Sequence, residues 1–126
     1  MRLSDSILKK RFKIFNEKYF EGKLVEPKFV IMGSRWTAGM FNSDLIIKKD
    51  GKGKRYVSEL RNIKIKLSKY LLKNNSHLET ILLHEMIHYY GYYMNLDIEG
   101  SHGRFFKKMA KQINKDGYNI QRYYVE

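Results

Sequence analysis

The stretch that most restricts the fold is Ile81-Leu82-Leu83-His84-Glu85-Met86-Ile87-His88-Tyr89-Tyr90-Gly91-Tyr92-Tyr93. Its flanks are strongly apolar, so it reads as a helix that packs against the rest of the chain. A helix repeats about every 3.6 residues, so His84 and His88 project from one face, one turn apart. Two imidazoles at that spacing can grip a single Zn²⁺, and Glu85, beside the first, can reach a water on the metal. Zinc lowers the pKa of such a water to about 7, and a carboxylate can then take its proton. This is the arrangement of a zinc hydrolase of peptide bonds. The competing reading is an amphipathic helix with two incidental histidines. Against it, Ser76-His77-Leu78-Glu79 reads as a capping box that starts a helix just upstream. His102, fourteen residues after His88, stands at the start of another helix-like run. A catalytic zinc takes three protein ligands and keeps one position open, and His102 supplies the missing ligand. Asp97 and Glu99 rank behind it, as alternative ligands or as hydrogen-bond partners of a ligand imidazole. His77 lies two turns before His84, about 10 Å by helix rise, too far to share the metal; it is expected as an exposed first-turn residue.

Two motifs together carry a family resemblance. His84-Glu85-Met86-Ile87-His88, followed by Glu99-Gly100-Ser101-His102-Gly103-Arg104-Phe105-Phe106, resembles the HExxH and HGxxF pair of the SprT-like zinc metallopeptidases (Spartan-like SprT domains). Phe15-Asn16-x-x-Tyr19-Phe20-x-Gly22-x-Leu24, Ser34-Arg35 and Ala38-Gly39 fit as well, so the likeness runs from about Phe12 to Asn114. It implies a minimal zincin-like core, a small sheet beside the active-site helix. It also implies proteolysis of proteins linked to DNA, with the peptide pairing to a strand over residues 36–41. Many relatives append a cysteine zinc ribbon, and this sequence has no cysteine. The expectation is one SprT-like domain over residues 1–126, without that ribbon.

Composition narrows the partners. The net charge is +12, an excess that suggests an anionic partner, most often nucleic acid. The cations fall into groups: Lys48, Lys49, Lys52, Lys54 and Arg55 in one hairpin, Lys64 and Lys66 on one strand face, and Arg104, Lys107, Lys108 and Lys111 at helical spacing. Each group alone reads as a solvated face. Together, with Trp36 and tyrosines as stacking platforms, they could track a phosphate backbone, single-stranded DNA above all. No apolar run is long enough to span a membrane, and Met1 to Lys13 has no apolar signal core. A monomeric cytoplasmic protein is the expectation. Three functions follow. The first is a zinc endopeptidase acting on DNA-associated proteins, with Glu85 as general base. The second is a nucleic-acid module with a structural zinc. The third is a zinc peptidase with a dedicated protein target and no DNA role. Arg104, Tyr89, Tyr92 and Tyr93 are candidates for stabilising an oxyanion.

The remaining pattern gives an α+β fold: an N-terminal helix, a small sheet, the HExxH helix and a following helix that carries the third ligand. A helix is expected over 4–20, with Leu8, Phe12, Phe15 and Tyr19 as its apolar stripe and Ser4 or Ser6 as cap. Short strands are expected at 28–32, 36–41 and 45–47. A turn at Asp50-Gly51-Lys52-Gly53 leads to a returning strand at 55–57, and 62–67 alternates cleanly. Gly39 marks a bulge or a close backbone approach. The metal helix should run from about His77 to Met94. The last helix should span 102–115, capped by Ser101, with Phe105, Phe106, Met109, Ala110 and Ile113 inside. Tyr118, Tyr123 and Tyr124 are expected to pack back on the domain.

Overall fold

The structure, a computed structural model, describes residues 3–49, 56–94, 96 and 102–121. It is α+β, in the order α1 (Asp5–Tyr19), β1 (Lys28–Met32), β2 (Gly39–Lys49), β3 (Tyr56–Ser68), α2 (Asn75–Tyr93) and α3 (Arg104–Asn114). This is the small sheet framed by helices that a minimal zincin-like domain requires. No described helix is long and apolar enough to cross a membrane.

Helix α1 begins where the serine pattern places it: the Ser4 hydroxyl accepts from the Ile7 N–H at 3.3 Å. Its buried face is Leu8, Phe12, Phe15 and Asn16; of the expected stripe, Tyr19 is only half-buried. The chain leaves α1 through two left-handed residues, Glu21 (φ 57°) and Gly22 (φ 68°). Asn16 then brackets the departing strand. Its Nδ2 donates to the Leu24 carbonyl at 2.8 Å, and its Oδ1 accepts from the Leu24 N–H at 3.1 Å.

The sheet has the order β1-β3-β2, with β1 parallel and β2 antiparallel to the central β3. The expected runs at 36–41 and 45–47 merge into one strand that starts at Gly39, leaving Trp36 in the preceding loop at 95% exposure. Likewise the described residues of 55–57 and those of 62–67 are parts of a single β3, which begins at Tyr56. Continuous backbone pairing joins what the apolar pattern breaks up. The register from Gly39↔Leu67 to Lys49↔Tyr56 shifts once, between Asn42 and Asp44. There Asn62 takes a positive φ of 53° and its amide donates to Asp44 at 2.6 Å. The bulge considered at Gly39 lies instead in β3, where Asn62 and Ile63 stand opposite Ser43 alone. The turn at 50–53 lies outside the described residues.

Helix α2 is buried from Thr80 to Tyr89 without interruption. A helix enclosed on all sides belongs in the core. It packs on the face of the sheet that carries Ile65 and Leu67, with α1 and α3 against its other sides. Its cap is Asn74, whose Oδ1 accepts from the His77 N–H at 2.8 Å. The helix thus starts about two residues before the expected capping box, because asparagine is as competent a cap as serine. His77 is half-buried and not exposed: its Nδ1 accepts from the Lys73 N–H at 3.2 Å.

Helix α3 buries Phe106, Ala110 and Ile113, with Phe105 and Met109 half-buried beside them. It starts at Arg104 with Gly103 as cap and no side-chain cap bond; the expected Ser101 lies outside the described residues. The third candidate ligand, His102, therefore sits on the turn entering α3 and not on the helix itself. Beyond α3 the chain reverses at Gly117 (φ 99°). Tyr118 packs back edge-on against Phe15 at 5.9 Å. Tyr123 and Tyr124 lie outside the described residues.

Candidate metal centre

Consecutive turns of α2 present His84 and His88, and the turn into α3 brings His102 across to them. The His84 and His88 Nε2 atoms lie 3.1 Å apart, and the His102 Nε2 stands 3.4 Å from that of His84. One ligand atom from each of the three falls within 4.8 Å of the others. Nitrogens about 2.0–2.1 Å from a tetrahedral zinc sit roughly 3.3 Å from one another, so this spacing suits such an ion.

Phe106 forms the wall of the cluster. Its ring centroid lies 4.8 Å from that of His84, 5.0 Å from His88 and 4.9 Å from His102, stacked on His88 and edge-on to the other two. The ring leaves each imidazole little room to turn. Burial also fixes their charge. It pushes His84 down to about 3, helped by the neighbouring His88 and His102, and His88 down to about 4, helped by His102. Both are neutral at physiological pH, the state a metal requires.

Glu85 is 5% exposed, with its Oε2 3.9 Å from the His84 Nε2. Burial alone raises its carboxyl to about 8. It rests against the first residue of β2. A Cβ built on Gly39 would stand 2.7 Å from Ile81 Cγ2 and 3.1 Å from Glu85 Oε2. The close approach expected at Gly39 is therefore to α2 and to this carboxylate.

The other sequence candidates are dispersed. Tyr89 is fully buried and donates its hydroxyl to the Val25 carbonyl at 2.9 Å, so that group is engaged elsewhere. Tyr92 and Tyr93 are exposed at the end of α2, and Arg104 is exposed on α3. Arg104, Lys107, Lys108 and Lys111 line one open concavity of about 780 Å³ with Gly103. Lys64 and Lys66 are half-buried on β3, on the sheet face turned away from Ile65 and Leu67. Among the described residues, then, the concavity on α3 is not lined by the cations of β3. Lys52, Lys54, Arg55, Asp97 and Glu99 lie outside the described residues, as do the side chains of Lys48 and Lys49.

Sequence reasoning did not find Phe106 as the wall, or the main-chain carbonyl of Gln121, which lies 2.9 Å from the His84 Nδ1. The HGxxF spacing was the only signal for the first. A backbone carbonyl leaves no signal in side-chain identity.

An α+β fold whose buried helix gathers three imidazoles defines a metal-binding, peptidase-like domain. The chain belongs to the SprT-like family, whose profile matches residues 8–124. No curated protein sequence comes close enough to count as a relative.

Proposed function

We propose that the protein is a zinc endopeptidase in which His84, His88 and His102 hold the metal and Glu85 is the general base. The observation that carries this reading is Glu85 itself: a buried carboxylate 3.9 Å from a ligand nitrogen, with no hydrogen-bond donor among the described residues. Burying such a group without a partner is costly, and a purely structural metal site has no use for it. Zinc, when bound, acidifies water and polarises the scissile carbonyl. It would also hold Glu85 ionised, since a cation close by favours the charged carboxylate. In the hydrolysis, the water oxygen bonds the carbonyl carbon while Glu85 accepts a water proton. Glu85 then passes that proton to the amide nitrogen as the C–N bond breaks. The substrate backbone is read by the outer edge of β2, which has no partner strand among the described residues and starts at Gly39 against this carboxylate.

DNA-associated proteins are the proposed substrates. The net charge of +12 and the exposed cations of α3 support an anionic partner close to the site, because α3 follows His102 directly. The test is cleavage of a basic protein by zinc-loaded protein, with and without single-stranded DNA and across salt concentrations, beside Glu85→Gln. Cleavage lost with zinc retained is the expected outcome for the variant. DNA should stimulate the parent less as salt rises. A Glu85→Gln protein that cleaves at the parental rate overturns the mechanism. Cleavage indifferent to DNA leaves a peptidase with a dedicated protein target.

A further inference from the structure

After α3 the main chain returns to the histidine cluster, and it does so under control. The Gln121 carbonyl lies 2.9 Å from the His84 Nδ1. A carbonyl can only accept, so Nδ1 carries the proton and donates. That leaves the lone pair on Nε2, the atom that faces His88 and His102. Imidazole ligands depend on such an outer partner to fix both tautomer and ring angle.

The Gln121 side chain donates back to Asn119 at 3.3 Å, and among the described residues it makes no bond across to the site; its place is set by the residue before it. Asn114, the last residue of α3, brackets Ile120. Its Nδ2 donates to the Ile120 carbonyl at 3.0 Å, and its Oδ1 accepts from the Ile120 N–H at 2.7 Å. Ile120 is itself buried in the core cluster, which anchors the segment from its apolar side. One planar amide thus fixes both backbone groups of residue 120, and the next carbonyl is aimed at His84.

We propose that Asn114 is a positioning residue for the metal centre: by bracketing Ile120 it fixes the Gln121 carbonyl that holds His84 in its metal-binding tautomer. The proposal rests on the zinc reading of the three histidines, and it places a determinant of metal affinity thirty residues along the chain from His84, the ligand it acts on.

The experiment has two readouts on full-length protein. Long-range ¹H–¹⁵N spectra of metal-free protein report the His84 tautomer, and a zinc competition titration reports affinity. The parent should show His84 protonated at Nδ1. Asn114→Ala should show the Nε2–H form or a mixture, with zinc bound about 10–100-fold more weakly. Asn16→Ala, which removes the same kind of bracket from Leu24, should change neither. An unchanged tautomer or an unchanged affinity in Asn114→Ala overturns the proposal, as does an equal loss in Asn16→Ala. If Asn114→Ala does not fold, Asn114→Asp keeps the acceptor for the Ile120 N–H and loses the donor, and carries the same two readouts. A parent that binds no zinc sinks the metal reading itself, while the tautomer spectra still decide whether Asn114 sets the ring.

Discussion

Two asparagines, one in α1 and one at the end of α3, use the same device for different ends. Asn16 brackets both backbone groups of Leu24, and the next carbonyl, Val25, accepts from the Tyr89 hydroxyl. Asn114 brackets both backbone groups of Ile120, and the next carbonyl, Gln121, accepts from the His84 imidazole. On the first side the receiver is a fully buried phenol whose ring stacks on Phe41 at 5.3 Å. Its hydroxyl needs a partner, and the requirement ends there. On the second side the receiver has two nitrogens, and which one is engaged decides what the other can do. The difference teaches that a bracket is structural or functional according to the chemistry it receives, and not by its own geometry.

The strongest way to sharpen that contrast is to alter the site while leaving both brackets intact. Glu85→Gln should lose about 10²–10⁴ in cleavage rate, the range a general base contributes. Its zinc content should match the parent by elemental analysis, because no ligand is touched. Next comes the bracket on the fold side. Asn16→Ala strands the Leu24 N–H and carbonyl inside the protein, which should cost about 1–3 kcal/mol in chemical denaturation. Zinc affinity measured on that folded variant should stay at the parental value. A loss of affinity there would erase the distinction between the two sides.

The smallest effect is on pH, in metal-free protein. His84 and His88 titrate at about 3 and 4 when folded, against 6.5 for the free side chain. The unfolded chain therefore binds more protons below that value. Their contribution to stability is complete above about 6.5 and drains away as pH falls through the folded values. Glu85 runs the other way. Raised from 4.5 to about 8, it contributes fully below about 4.5 and is lost as pH rises through about 8. Stability from these three groups should peak near pH 6.5 and decline on both sides, and bound zinc should abolish the alkaline decline. Tyr89, pushed up to about 12 by burial, stays silent throughout, so the Asn16 side should show no such profile. Denaturation midpoints between about pH 4 and 9 would check it.

Much of this was legible in the sequence because the signals are local. The helical repeat puts His84 and His88 on one face, and the stripe of α1 and the inner face of α3 follow from spacing alone. His102 was found by the count of ligands a catalytic zinc needs. Strand boundaries were less visible. Nothing in Asn42-Ser43-Asp44 announces that pairing with β3 continues past it, because the bonds belong to the backbone. The cap of α2 was misplaced since Asn74 and Ser76 are both competent caps, and only the path of the chain chooses. The brackets were out of reach altogether. Asn16 and Asn114 look like ordinary helix residues until the chain folds back, and the His84–Gln121 contact joins positions 37 apart in sequence.

The shift between Asn42 and Asp44 has a consequence for what the edge of β2 could read. The extra residue lies in β3, where Asn62 and Ile63 stand opposite Ser43 alone, so the bend belongs to the central strand and β2 carries no insertion. The outer side of β2 therefore keeps its alternation from Gly39 to Lys49, about 36 Å by strand rise. A chain laid along it would be gripped by main-chain groups that every residue shares, and such a grip listens to extension more than to spelling.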